Sequence, residues 1–177
     1  MAAQPLHSTS RPPGEKSAFR LHEPELADGP QMWRLARDSD VLDVNSPYSY
    51  VLWCRDFSGT SVVARADGVA CGFVTGYVRP DSPDTLFVWQ VAVDRAHRGK
   101  GLARRMLDRL GDRMPALGCR YMEATVTPGN TASKAMFESF ARGRGCEVVR
   151  SPLFGDEHFP VGHEPEILFR IGPLRHP

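Results

Sequence analysis

Residues Asp94–Leu107 read "DRAHRGKGLARRML" and directly follow the apolar run "TLFVWQVAV" of Thr85–Val93. The run shows little alternation of polarity and reads as a strand buried on both faces. After the turn, Leu102, Ala103, Met106, Leu107, Leu110 and Met114 recur at helical spacing, with Arg104, Arg105, Asp108, Arg109, Asp112 and Arg113 between them. A strand entering a helix through Gly99 and Gly101 makes an anion cradle for a physical reason. The first N–H groups of a helix lack intrahelical partners, and the helix dipole is positive there. Glycine lets the backbone approach an anion with no Cβ in the way. Arg98 and Lys100 add charge at the rim. The expected ligand is a phosphate or pyrophosphate.

Two common nucleotide loops fail against this stretch. A Walker A loop needs Gly where Asp94 stands and Ser or Thr where Gly101 stands. A dinucleotide fingerprint needs a third glycine where Arg104 stands. A nucleic-acid helix is disfavoured because Asp108 and Asp112 interrupt the basic stripe. The net charge of +1 supplies no global field toward nucleic acid or an anionic membrane.

The rest of the chain reads as one α/β domain with a mixed sheet. "AFRLHEP" is a first strand, and a helix begins after Asp28 or Gly29 with Pro30 at its first position. A second helix starts near Pro47. "TSVVARA" and "VACGFVTGYVR" flank Asp67-Gly68, a two-residue hairpin signal. "YMEATVT", "CEVV" and "EILFRI" are strands, and "NTASKAMFESFAR" is a helix. Residues 1–16 are polar, rich in Pro, Ser and Gly, and expected to be a disordered tail; the domain runs 17–173, with a tail at 174–177. No signal peptide or membrane span is visible. Cys54, Cys71, Cys119 and Cys146 lack metal-ligand spacing and read as reduced thiols of a cytoplasmic protein, with no metal expected.

With the nucleotide loops set aside, "AHRGKG" (96–101) resembles the pyrophosphate loop of the GNAT N-acetyltransferases, although Ala96 stands where that pattern carries Gln or Arg. Longer stretches, "LDVNSPYSYVLWCRDFSGTS", "FVWQVAV", "EATVTPGNTASKAMF" and "HEPEILFRI", resemble the diaminobutyrate acetyltransferase family within it. The resemblance implies a mixed, mostly antiparallel sheet of six or seven strands flanked by about four helices, splayed at the acetyl-CoA strand. It implies acetyl transfer from acetyl-CoA to the 4-amino group of L-2,4-diaminobutanoate, the product feeding ectoine synthesis, and a homodimer. Val91, Ala92 and Val93, the loop residues Arg98, Gly99, Lys100 and Gly101, then Leu102 and Ala103, are expected to hold the coenzyme. An N–H near Val91 would polarise the acetyl carbonyl. Asn130 would bond the pantetheine arm, and Phe137 takes the place of the usual Tyr acid, so it packs but cannot donate a proton.

On the acceptor side the resemblance and the chemistry meet. The substrate carries two ammonium groups and a carboxylate, so its pocket needs acids, donors and a base. Asp43 would hold the α-ammonium, or instead cap the helix near Pro47; Tyr48 would bond the carboxylate, with Tyr50 behind it, or both would pack. Trp89 and Gln90 are expected on opposite faces of their strand, Trp89 toward the diamine. In "HEPE", Glu166 is the leading base and His163 stands behind it; Glu123, on "YMEATV", is the runner-up. Two other readings stay open: an acetyltransferase for another small amine, and a non-catalytic acyl-CoA-binding module.

Overall fold

The computed structural model describes residues 19–39, 41–159 and 162–174. The tail expected at 1–16 and residues 175–177 lie outside the described residues. In chain order the elements are β1 (Arg20–His22), α1 (Gly29–Arg37), α2 (Pro47–Asp56), β2 (Val62–Ala66), β3 (Val69–Arg79) and β4 (Ser82–Val93). They continue with α3 (Leu102–Arg113), β5 (Tyr121–Val126), α4 (Thr131–Gly143), β6 (Val148–Phe154) and β7 (Glu166–Ile171). The strands form a seven-stranded sheet in the order β1-β2-β3-β4-β5-β7-β6. The β4–β5 pair is parallel and the other neighbours are antiparallel.

Local chemistry accounts for most of these elements. Asp67 and Gly68 both take positive φ, which matches a tight hairpin to the twist of β2 and β3. In α3 the predicted stripe of Leu102, Met106, Leu107 and Leu110 is buried. It packs with Phe137 and Phe140 of α4 against Leu86, Val88, Met122, Ala124, Phe169 and Ile171 of the sheet. The other face carries a second core, in which Met32, Leu35, Tyr50 and Cys54 of α1 and α2 pack on Val63, Phe73 and Ala92. Each large apolar side chain so buried contributes ~1.5–3 kcal/mol against chain entropy.

Several details depart from expectation. Asp28 does not cap α1; its fully buried carboxylate accepts from the Glu25 N–H (2.9 Å) and pairs with Arg65 (2.7 Å). Strand β6 runs past the expected "CEVV" and through Pro152, which an edge strand tolerates because its outer side needs no N–H. Leu174, assigned to the tail, is buried on the core and donates its N–H to the Arg120 carbonyl (2.8 Å).

The feature that shapes the site is a bulge in β4. Thr75 faces Gln90 and Gly76 faces Val88, so Trp89 is one residue too many. Gly76 is required opposite it, since a Cβ there would lie 2.8 Å from the Phe87 carbonyl and 3.0 Å from that of Thr60. The bulge reverses the alternation of β4. Leu86 and Val88 face the α3–α4 core, whereas beyond the bulge Val91 and Val93 face that core and Ala92 faces α1 and α2. Trp89 and Gln90, expected on opposite faces, instead border the same pocket.

Candidate active site

β4 and β5 pair from Thr85–Tyr121 to Val88–Ala124 and then part, although β4 continues to Val93. A cavity of about 490 Å³ opens where they separate. Asp43, Trp89, Val91, Asn130, Phe137, His163 and Glu166 all line it. The Gln90 N–H donates to Thr75 Oγ1 (3.1 Å), toward β3. N–H directions alternate along a strand, so the Val91 N–H points at the gap that β5 has left.

The glycine turn lies just beyond. Asp94 accepts from the Ala96 N–H (3.0 Å) and organises a single 3-10 turn at Arg95–His97. Gly99 (φ 73°) and Gly101 (φ 70°) take left-handed backbone, and nothing lies within 4 Å of where their Cβ atoms would be. The turn thus presents bare backbone and the amino end of α3 to open space, as a pyrophosphate requires. Leu102 is buried and Ala103 half-buried beneath it. The two cations stay exposed at the rim and also bond to the backbone. Arg98 braces the turn, donating to the carbonyls of Val93 (3.1 Å) and Ser39 (3.2 Å), and Lys100 donates to that of Ala96 (2.9 Å). Asn130 caps α4 by accepting from the Ser133 N–H (3.0 Å), which leaves its side-chain amide N–H free of that duty at the cavity wall. Phe137 is buried against Phe169.

The acceptor side is acidic. Glu166 opens β7, and among the described residues its buried Oε2 has no hydrogen-bond partner. Burial pushes its carboxyl above the usual range, opposed by a hydrogen bond with Thr125 and the neighbouring His163, and reinforced by the charges of Asp43 and Glu164. His163 Nε2 stands 3.9 Å from Asp43 Oδ2, and its ring stacks on Phe159. The Asp43 side chain is 97% exposed, and Ser46, not Asp43, caps α2. The cap alternative therefore falls away.

Three expected residues sit elsewhere. Tyr48 lies outside the cavity lining and is 67% exposed on α2, while Tyr50 is buried and donates to Gln90 Oε1 (3.1 Å). Glu123 is buried but does not line the cavity; Arg79 (2.8 Å) and Arg170 both pair with it, which ties it into the sheet away from the acceptor wall. Two residues the sequence reading left unassigned join the site. Gln90 donates to the Asp43 carbonyl (2.9 Å), and Glu164 accepts from the Gly129 N–H (2.9 Å), tying the "HEPE" segment to the approach to α4. Glu164 was visible as a second acid inside that motif. Among the described residues, no group of three or more His, Cys, Asp or Glu is placed to hold a metal.

Comparison with known proteins agrees with this geometry. The profile of the Acetyltransferase (GNAT) family matches residues 29–141. The L-2,4-diaminobutyric acid acetyltransferase of Streptomyces coelicolor is 57% identical over 159 residues, 88% of this chain and 94% of that protein. Its counterpart in Marinococcus halophilus is 44% identical over 162 residues, 91% of this chain and 94% of that one. Among solved structures, the diaminobutyrate acetyltransferase EctA of Paenibacillus lautus, in complex with L-2,4-diaminobutyric acid and coenzyme A, superposes with a TM-score of 0.86 at 39% identity. The match covers 92% of this chain and 99% of that one. A parted strand pair, a bare glycine cradle and an acidic acceptor pocket thus coincide with sequence kinship, and the chain belongs to the acetyltransferase (GNAT) family, among its L-2,4-diaminobutyric acid acetyltransferases.

Proposed function

We propose that the chain transfers acetyl from acetyl-CoA to the 4-amino group of L-2,4-diaminobutanoate, a step that feeds ectoine synthesis. The observation that carries this reading is the cavity between β4 and β5, with the glycine cradle beyond it and Asp43, His163 and Glu166 on its wall. The Gly99–Gly101 backbone and the first turn of α3 hold the pyrophosphate, and Asn130 meets the pantetheine arm. The Val91 N–H polarises the acetyl carbonyl. On the acceptor side, Asp43 keeps the α-ammonium charged and paired. Glu166 takes a proton from the 4-ammonium, and burial suits it by raising its proton affinity. The free amine attacks the acetyl carbon, the C–S bond breaks and the thiolate departs, and the second proton on the nitrogen passes through water to the thiolate. Phe137 offers no proton, but a thiol of pKa near ~8.5 can leave as thiolate or be protonated by water.

We also assign the enzyme to the cytoplasm as a homodimer. Four free cysteines suit a reducing compartment. The edge strand β6 exposes Val149, Leu153 and Phe154, apolar surface that a second copy would cover; light scattering in solution checks the assembly. The function is tested by thiol release from acetyl-CoA. Diaminobutanoate should react, and putrescine, which lacks the α-carboxylate, should react far more slowly. Equal turnover of the two would count against the assignment.

A further inference from the structure

We propose that Gln90 is a positioning residue that sets the distance between the α-ammonium anchor and the acetyl carbonyl, and thereby selects which amine and which chain length reacts. The inference rests on the reading of Asp43 as that anchor. Gln90 is 6% exposed, and its polar groups are tied in three directions. Its N–H donates to Thr75 Oγ1, Oε1 accepts from the Tyr50 hydroxyl, and Nε2 donates to the Asp43 carbonyl. A flipped amide would set oxygen against oxygen at Asp43, so this contact fixes the orientation of the side chain.

The loop that carries Asp43 is also held near its start. There the buried Ser39 hydroxyl donates to the Ala36 carbonyl (2.7 Å) and accepts from the N–H groups of Val41 (3.3 Å) and Leu42 (3.1 Å). Arg98, from the coenzyme turn, donates to the Ser39 carbonyl. Gln90 grips the loop at Asp43 itself, and its neighbour Val91 turns its N–H to the gap. One residue of β4 therefore holds the acceptor anchor while the next addresses the acetyl group. Adding or removing a methylene moves a terminal amine by ~1.3 Å along an extended chain. Misplacement by ~1 Å can cost ~10²-fold in rate, so a buried, doubly bonded tether is stiff enough to discriminate homologues.

The test compares wild type with Gln90→Leu, which keeps the bulk and removes both side-chain bonds. Gln90→Asn, which keeps the amide but draws it back from Asp43 by one methylene, and Tyr50→Phe serve as milder variants. The probes are diaminobutanoate, its shorter homologue 2,3-diaminopropanoate and its longer homologue ornithine, with product isomers read by NMR and coenzyme A affinity by calorimetry. Gln90→Leu should keep coenzyme affinity within about two-fold, yet lose about ten-fold or more of the kcat/KM preference for diaminobutanoate and release some 2-acetyl product. The milder variants should shift the same way by less. A folded, coenzyme-binding Gln90→Leu with the wild-type preference and pure 4-acetyl product would overturn the proposal; if that variant fails to fold, the milder pair decides by the same criterion. Asp43→Ala separates the two readings. Wild-type KM and product in Asp43→Ala would overturn the anchor and the proposal together. A shift in Asp43→Ala with none in the Gln90 variants would overturn the proposal alone.

Discussion

Replacing Glu166 with Gln removes the charge of the proposed base while preserving its length and its ability to accept from Thr125. A positioned general base contributes ~10²–10⁴-fold, which at ~1.36 kcal/mol per decade is ~2.7–5.5 kcal/mol of barrier. The variant must rely on substrate that arrives already deprotonated. For a primary ammonium of pKa near ~10.4 that is about one molecule in ~2,500 at neutral pH, and the fraction rises about ten-fold per pH unit. The kcat deficit should therefore be largest near neutrality and shrink as pH rises, while wild-type kcat shows an acidic limb at the raised Glu166 value. Stability should move in the opposite direction. Because the folded pKa lies above the ordinary carboxylate range, Glu166 contributes stability below that range and loses it as pH rises through the raised value. The neutral amide lacks this titration, so Glu166→Gln should show a flatter dependence of stability on pH in urea unfolding. Thiol-release kinetics across pH, paired with urea unfolding, check both limbs. Full kcat at neutral pH in a folded Glu166→Gln would refute the assignment and point to His163.

Three further outcomes follow from the same geometry. Gly101→Ala forces φ 70° on an L-residue, costing ~1–2 kcal/mol at the head of α3, and puts a methyl into the cradle; calorimetry should show at least about ten-fold weaker coenzyme A binding. Unchanged affinity would remove the cradle. Asp43→Asn should raise KM for diaminobutanoate by about ten-fold and leak 2-acetyl product, with no change in unfolding midpoint because the side chain is exposed. Glu123→Gln should destabilise by ~2 kcal/mol, less than a fully buried pair because Arg79 and Arg170 stay about a third exposed, and should leave kcat intact. A collapse of kcat without loss of stability would return Glu123 to the list of bases.

The parts legible in the sequence were those set by neighbours along the chain. Helical spacing gave the buried stripe of α3, and Gly99 and Gly101 announced positive φ because few other residues tolerate it. The acids of "HEPE" were legible as a cluster, and the structure adds Glu164 to its working members. What escaped depends on partners far away in sequence. Glu123 looks like a sheet carboxylate available for catalysis until Arg79 and Arg170, 44 and 47 positions distant, are brought to it. Asp28 reads as a cap until Arg65 arrives from β2. Tyr48 and Tyr50 differ by about 200° around α2, so the phase of one helix decides which tyrosine meets Gln90. The faces of Trp89 and Gln90 were misjudged because strict alternation has no place for an inserted residue.

That inserted residue divides β4 into two halves whose residue numbers are out of phase. Changes before Val88 are felt by the α3–α4 layer at even positions, and changes after Gln90 are felt there at odd ones. Deleting Trp89 would let Val88 and Gln90 alternate as in a plain strand, so every later side chain would keep its layer, whereas flattening the bulge with Trp89 retained would send Val91 and Val93 toward α1 and α2. The extra residue therefore adds a second consecutive side chain to the α1–α2 face at the acceptor wall without setting which layer the rest of the strand meets.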